Sequence, residues 1–193
     1  MLRPLSLLLL LVFLAALVGC ASEKQRVARY LNDLGDPDAT MDASVQKLQN
    51  VPQQLQAGVE LKELQANVQQ ARQSLNQEKQ RVEALRPPES CQSLHDMTVE
   101  YLGVALSLLD DYERFLPEGA RAMALMNEIR ANPSRALQMR GQIEQVQRTL
   151  QDFVEGVRPK IQKAGELQKK INEERARLIK EYGITETPAS PGR

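Results

Sequence analysis

The strongest constraint on this chain is the way proline pairs and Asn-Pro steps divide it into three helical stretches of nearly equal length. From Thr40 to Arg86 the apolar residues keep helical spacing. Leu61, Val68, Leu75 and Val82 form one row, and Leu64, Ala71, Glu78 and Leu85 form the row three residues on. This is a heptad seam with one polar defect, Glu78. Upstream, Met41, Val45, Leu48, Leu55 and Val59 keep a related spacing in a shifted frame, with Pro52 and Gly58 marking where a helix would bend or break. Pro87-Pro88 ends the stretch, because each proline disfavours the helical region for the residue before it. The second stretch runs from Pro88 to Ala131. It carries the widest apolar face, through Leu94, Met97, Tyr101, Leu102, Ala105, Leu108, Leu109, Tyr112, Phe115 and Leu116, and is expected to break at Pro117-Glu118-Gly119. Asn132-Pro133 then reads as an N-cap followed by proline in the first turn. The third stretch, Ser134 to Tyr182, is expected to kink at Pro159 and stop at Gly183.

The stretches are 47, 44 and 49 residues long, and no segment alternates as a strand would. A helix of 47 residues spans about 70 Å. Three such arms with tight turns predict an all-α fold, an elongated antiparallel three-helix bundle with kinked arms. The alternative is a four-helix bundle, formed if the first arm folds back at Pro52. Ahead of the arms lies a short amphipathic helix. Ser22 to Gln25 has the pattern of a capping box, Val27, Tyr30, Leu31 and Leu34 share a face, and Gly35 supplies a C-terminal stop. Its mixed charges predict packing on the bundle as a partial fourth helix rather than lying on a membrane. Asp36-Pro37 starts the next helix. Residues 183–193, with Pro188 and Pro191 among small polar residues, read as a disordered tail.

The first residues carry an address. Met1-Leu2-Arg3 is a short basic start, and Leu7 to Val18 is an unbroken apolar run of twelve residues, too short for the ~20 that a bilayer span needs. Leu17-Val18-Gly19-Cys20 follows. This sequence resembles a bacterial lipobox, the site at which signal peptidase II cuts before a lipidated cysteine. The resemblance covers residues 1–20 only. It implies a diacylglycerol on the Cys20 sulfur and a further acyl chain, such as palmitate, on its amine. Two or three chains hold a protein on a membrane where one does not. Ala21 in place of Asp resembles the outer-membrane sorting pattern of enteric-like Gram-negative cells, which implies a site facing the periplasm. The expected organisation is a signal peptide over 1–19, a lipidated N-terminus with its short helix over 20–36, a bundle over 37–182 and a tail over 183–193.

Chemistry is sparse. Without the first 19 residues the chain has 24 basic against 25 acidic residues, which argues against nucleic acid as a partner. The chain has one histidine, His95, four residues after Cys91 on a shared helical face. The pair is a weak metal candidate, because no local spacing supplies a third ligand. Gln92 stands three before His95, so the Glu-x-x-His of di-iron bundles is missing. Cys91 reads instead as a small buried hydrophobe and His95 as a partly exposed neighbour. The clusters Asp110-Asp111-Glu113 and Glu173-Glu174 read as solvated helix faces, and the glycines within helices as points of close approach between helices or of local bending. No phosphate loop or nucleophile motif occurs. The sequence therefore predicts a non-enzymatic cell-envelope protein without cofactor. It would be held to the membrane by its lipid and act through an unidentified protein partner as scaffold, spacer or accessory subunit. The second expectation is a module that binds a lipid or other apolar ligand between splayed helices.

Overall fold

The computed structural model describes residues 23–36, 39, 41 and 59–185. The described residues are all-α, with no strand among them. Helix α1 covers residues 23–34, α2 Leu61–Glu83, α3 Gln92–Ala131 and α4 Arg140–Tyr182. Single 3-10 turns, Glu89–Cys91 and Pro133–Arg135, lead into α3 and towards α4. Helices α2, α3 and α4 form the expected elongated antiparallel bundle, with α3 packed against both others. At 40 and 43 residues, α3 and α4 are each about 60 Å long. No helix of the described residues is long and apolar enough to cross a membrane.

The heptad rows of α2 become its buried face: Leu64, Val68, Ala71, Leu75 and Val82 are buried against α3. Leu64 and Val68 meet Leu116 and Tyr112, so the first turn of α2 lies beside the middle of α3. Helix α1 docks as the partial fourth helix. Val27, Tyr30, Leu31 and Leu34 all enter the core, and polar bonds tie α1 to each arm. Arg81 of α2 donates to the Asp33 carbonyl and, at 2.7 Å, to that of Leu34. Arg175 of α4 donates to the Gly35 carbonyl at 2.6 Å. Lys24 reaches the Gly183 carbonyl at 2.9 Å, and Ser90, just before α3, donates to Glu23 at 3.0 Å. The four-helix end of the molecule, called the base below, thus arises by docking of α1. The fold-back at Pro52 falls outside the described residues.

The local stop signals work as read. Gly35 and Gly183 take positive φ of 68° and 56°. At Gly183 the Ile184 N–H bonds the Ile179 carbonyl and the Gly183 N–H that of Lys180, a Schellman closure. Ile184 packs on the core, so it belongs to the fold and not to the tail, and residues 186–193 lie outside the described residues. Asp36 caps as expected, accepting from the Ala39 N–H at 3.4 Å. Ser22 lies outside the described residues.

Several expectations fail. Pro117 does not interrupt the second arm, and α3 runs through it for 40 residues. Pro117 is exposed, so the carbonyl it leaves unpaired can face water, while Leu116 and Gly119 on the inner side stay buried. Pro159, by contrast, lies inside a single helix, α4, as expected, and is exposed. Asn132-Pro133 opens a 3-10 turn rather than the helix itself. The Asn132 side chain accepts from Ser134 at 2.7 Å, and α4 begins only at Arg140. Of the two roles expected of the helix glycines, close approach does not apply at Gly141, Gly156 or Gly165, where a Cβ would meet nothing within 4 Å. Helix α2 ends at Glu83, before the prolines. The part of the first arm upstream of Val59, apart from Met41, which is buried in the core, lies outside the described residues.

Candidate functional site

The lipobox residues Leu17, Val18, Gly19 and Cys20 lie outside the described residues. Glu23, three residues after Cys20, is at the base beside Ser90.

Cys91 and His95 are also at the base. The free Cys91 is fully buried. Burial pushes its thiol pKa up, with a counteracting hydrogen bond from Ser90 and smaller effects of Glu23, Arg177 and Glu174. Such an environment disfavours the thiolate that a metal or an electrophile would need. His95 is half-buried, and its Nδ1 lies 3.2 Å from the Tyr30 hydroxyl, so the histidine fastens α1 to α3. Among the described residues no three His, Cys, Asp or Glu side chains come together as a metal site. Tyr30 is pushed upward in pKa, first by burial and then by Cys91 and Asp96.

These shifts give a pH prediction. Tyr30 and Cys91 both hold their protons more tightly when folded, so their contribution is complete below the ordinary values of 10.0 and 9.0. It declines as pH rises above those values, because only the unfolded chain then gains by ionising. Urea midpoints measured from pH 7 to 11.5 should fall above about pH 9. Tyr30→Phe should flatten the part of the fall above pH 10, at a cost of about 1 kcal/mol at neutral pH for the lost bond to His95. An identical alkaline profile for the variant would show that Tyr30 is not the group responsible.

The carboxylate cluster is partly exposed, as a solvated face would be, but it also pairs with other helices. Arg72 of α2 bonds both Asp110 and Glu113 of α3, the latter at 3.0 Å, and Gln69 also bonds Glu113. Asp111 pairs with Lys160 of α4 and, at 3.0 Å, with Arg114. Acids and bases therefore lace the three arms together at mid-bundle. Sequence spacing along one helix could not show this, because the cations come from other helices. Glu174 does behave as expected, paired along its own helix with Arg177 at 2.7 Å. Glu78, the polar defect in the seam, pairs with Arg81 at 2.6 Å and so orients the guanidinium that holds the C-terminus of α1.

Beyond this lacing the character of the molecule changes. The far end, called the tip, consists among the described residues of the α3–α4 hairpin. Phe115 and Phe153 stack across it with ring centroids 4.1 Å apart, and Tyr112 meets Phe153 edge-on at 6.0 Å. On one side of this aromatic cluster is a polar hollow bordered by Asp111, Arg114, Asp152 and Lys160. On the other is an apolar groove of about 370 Å³ with no charged residue in its lining. Tyr112, Phe115, Leu116, Met123, Met126 and Leu150 are among the residues of its wall. Buried Gly119 belongs to the same wall, and there a Cβ would come within 3.2 Å of the Phe115 ring. Among the described residues, four of the five large exposed apolar side chains belong to this end, Met126 at 55%, Leu137 at 87%, Leu150 at 48% and Val154 at 42%, and the fifth, Ile161 at 57%, follows Lys160 at the lacing. Leu150, Val154 and Ile161 recur at i, i+4 and i+11 and so share one edge of α4. The sequence carried a sign of this in the apolar crowding of Phe115, Leu116, Leu125 and Met126 along the second stretch. It did not show which of these residues lack cover. No family model, no curated protein and no solved structure matches this chain.

Proposed function

We propose that this chain is a lipid-anchored cell-envelope protein that acts without catalysis, through protein contacts made at the tip of its bundle. The observation that supports this reading is the polarity of the molecule. The end that holds Glu23, three residues after Cys20 in the sequence, is closed by four helices and a ring of hydrogen bonds, while the apolar groove and, among the described residues, exposed Met, Leu and Val side chains gather at the other end. Exposed apolar patches of this kind mark interaction surfaces. With the lipid at the base, the bundle is a stalk that holds its contact surface tens of ångströms above the bilayer. Ala21 favours the outer membrane, facing the periplasm, where the host is Gram-negative.

The anchor is tested by Cys20→Ala in the full-length chain. The variant should accumulate as precursor or as a differently processed form and carry no acyl chain by mass spectrometry. An acylated variant that still fractionates with membrane lipoproteins would defeat the anchor reading.

The groove supports a second reading, a module for a lipid or other apolar ligand. Its volume lies within the range of small-molecule sites, and its lining is almost wholly apolar. Such a module should release stoichiometric lipid when the purified protein is analysed by mass spectrometry, whereas a contact surface should release none.

A further inference from the structure

We infer that the apolar groove at the tip is closed by the tip of a second copy of this chain, giving a symmetric dimer of hairpins. The inference rests on the protein-contact reading above and names the partner. At the base, the α3–α4 pair buries Leu94, Leu102 and Leu109 only because α1 and α2 cover it. At the tip the same two helices continue as a pair. Among the described residues the cover ends where Leu64 and Val68 meet Leu116 and Tyr112, and there the groove begins with Tyr112 and Leu116. Two more helices would complete the four-helix cross-section, and a second hairpin supplies two.

Charge and size favour a copy as the occupant. A surface that pairs with itself must not present one sign. The tip carries Glu118 with Arg121, Glu128 with Arg135 and Glu144 with Arg140, both signs interspersed around an uncharged groove. Two helices about 30 Å long and 10 Å apart offer a face of roughly 600 Å². Two such faces bury about 1,200 Å², the lower edge of specific interfaces. An interface of that size is weak in dilute solution. It gains from confinement, since copies fixed to one membrane by their bases hold their tips at one height.

The test places a cysteine in the full-length chain within its own envelope. Leu150→Cys is half-exposed and leaves the base untouched, and native Cys91 is buried. Mild oxidation should give a disulfide-linked species of twice the chain mass. Ala176→Cys, exposed at the base, should give none. Adding Val154→Glu to Leu150→Cys should lower the yield at least about tenfold, because the charge would enter an apolar contact. Val154 is 42% exposed, so this change spares the fold of the monomer. An adduct of another mass overturns self-pairing and leaves the protein-contact reading standing. A thiol that is freely labelled yet never cross-linked overturns both. A monomeric intrachain disulfide with a cysteine introduced at Leu48 also overturns both, since the upstream chain would then fill the groove. A thiol that is neither labelled nor cross-linked until lipid is extracted overturns both in favour of an apolar ligand.

Discussion

Val27→Asp is expected to release helix α1 and to make Cys91 reactive in the native protein. Val27 is fully buried on the docked face of α1. A carboxylate there loses its water and gains no cation from the surrounding apolar cluster, a cost of about 3 kcal/mol or more. Helix α1 has only residues 23–34, too few turns to persist in water without packing. Its release removes Tyr30 and Glu23, both close enough to act on the electrostatics of Cys91. With 1.4 kcal/mol per factor of ten, labelling by a thiol reagent should accelerate about a hundredfold or more. Val27→Ala leaves a small cavity and no charge, so it should accelerate labelling far less. Unchanged labelling in Val27→Asp would mean that some other element covers the thiol.

The second large effect separates base from tip. Leu102 is fully buried under four helices, and Leu102→Ala should cost about 3–5 kcal/mol, through lost transfer energy and the cavity left behind. For a chain of this size that lowers Tm by roughly 10 °C. Leu150→Ala removes a similar side chain that is 48% exposed beside the open groove, and should change stability by less than about 1 kcal/mol. Thermal melts of the two variants at low protein concentration check this directly. Equal losses would mean that the groove is filled within one chain, and self-pairing would fall with the contact surface.

The two ends also differ in how far the sequence reveals them. At the base, the buried rows and the glycine stops were readable. The heptad row of α2, the face of α1, the Asp36 cap and the glycines at 35 and 183 all follow from residues within four or five positions of one another. The misreadings share a cause. Pro117 looked like a break because proline removes one local bond, worth about 3 kcal/mol in an isolated helix. The packing of Leu116, Gly119 and Leu125 along the same helix outweighs it. Glu78 looked like a defect because the Arg81 it orients acts on another helix, α1, and the acids at 110, 111 and 113 looked solvated because Arg72 and Lys160 come from other helices.

The sequence by itself determined the fold class, the number and direction of the arms and the burial of Cys91. Each of these rests on periodicity or composition, which a single helix expresses on its own. The tertiary structure alone decided that α1 is clamped by Arg81 and Arg175, the latter 140 residues from its acceptor. It also decided that the acids of α3 lace three arms and that the apolar surface left open lies at the tip. A helix face is set by neighbours three and four residues apart. What covers that face depends on chain segments brought together only by folding, and the open groove of the tip is the part of the α3–α4 pair that neither α1 nor α2 reaches.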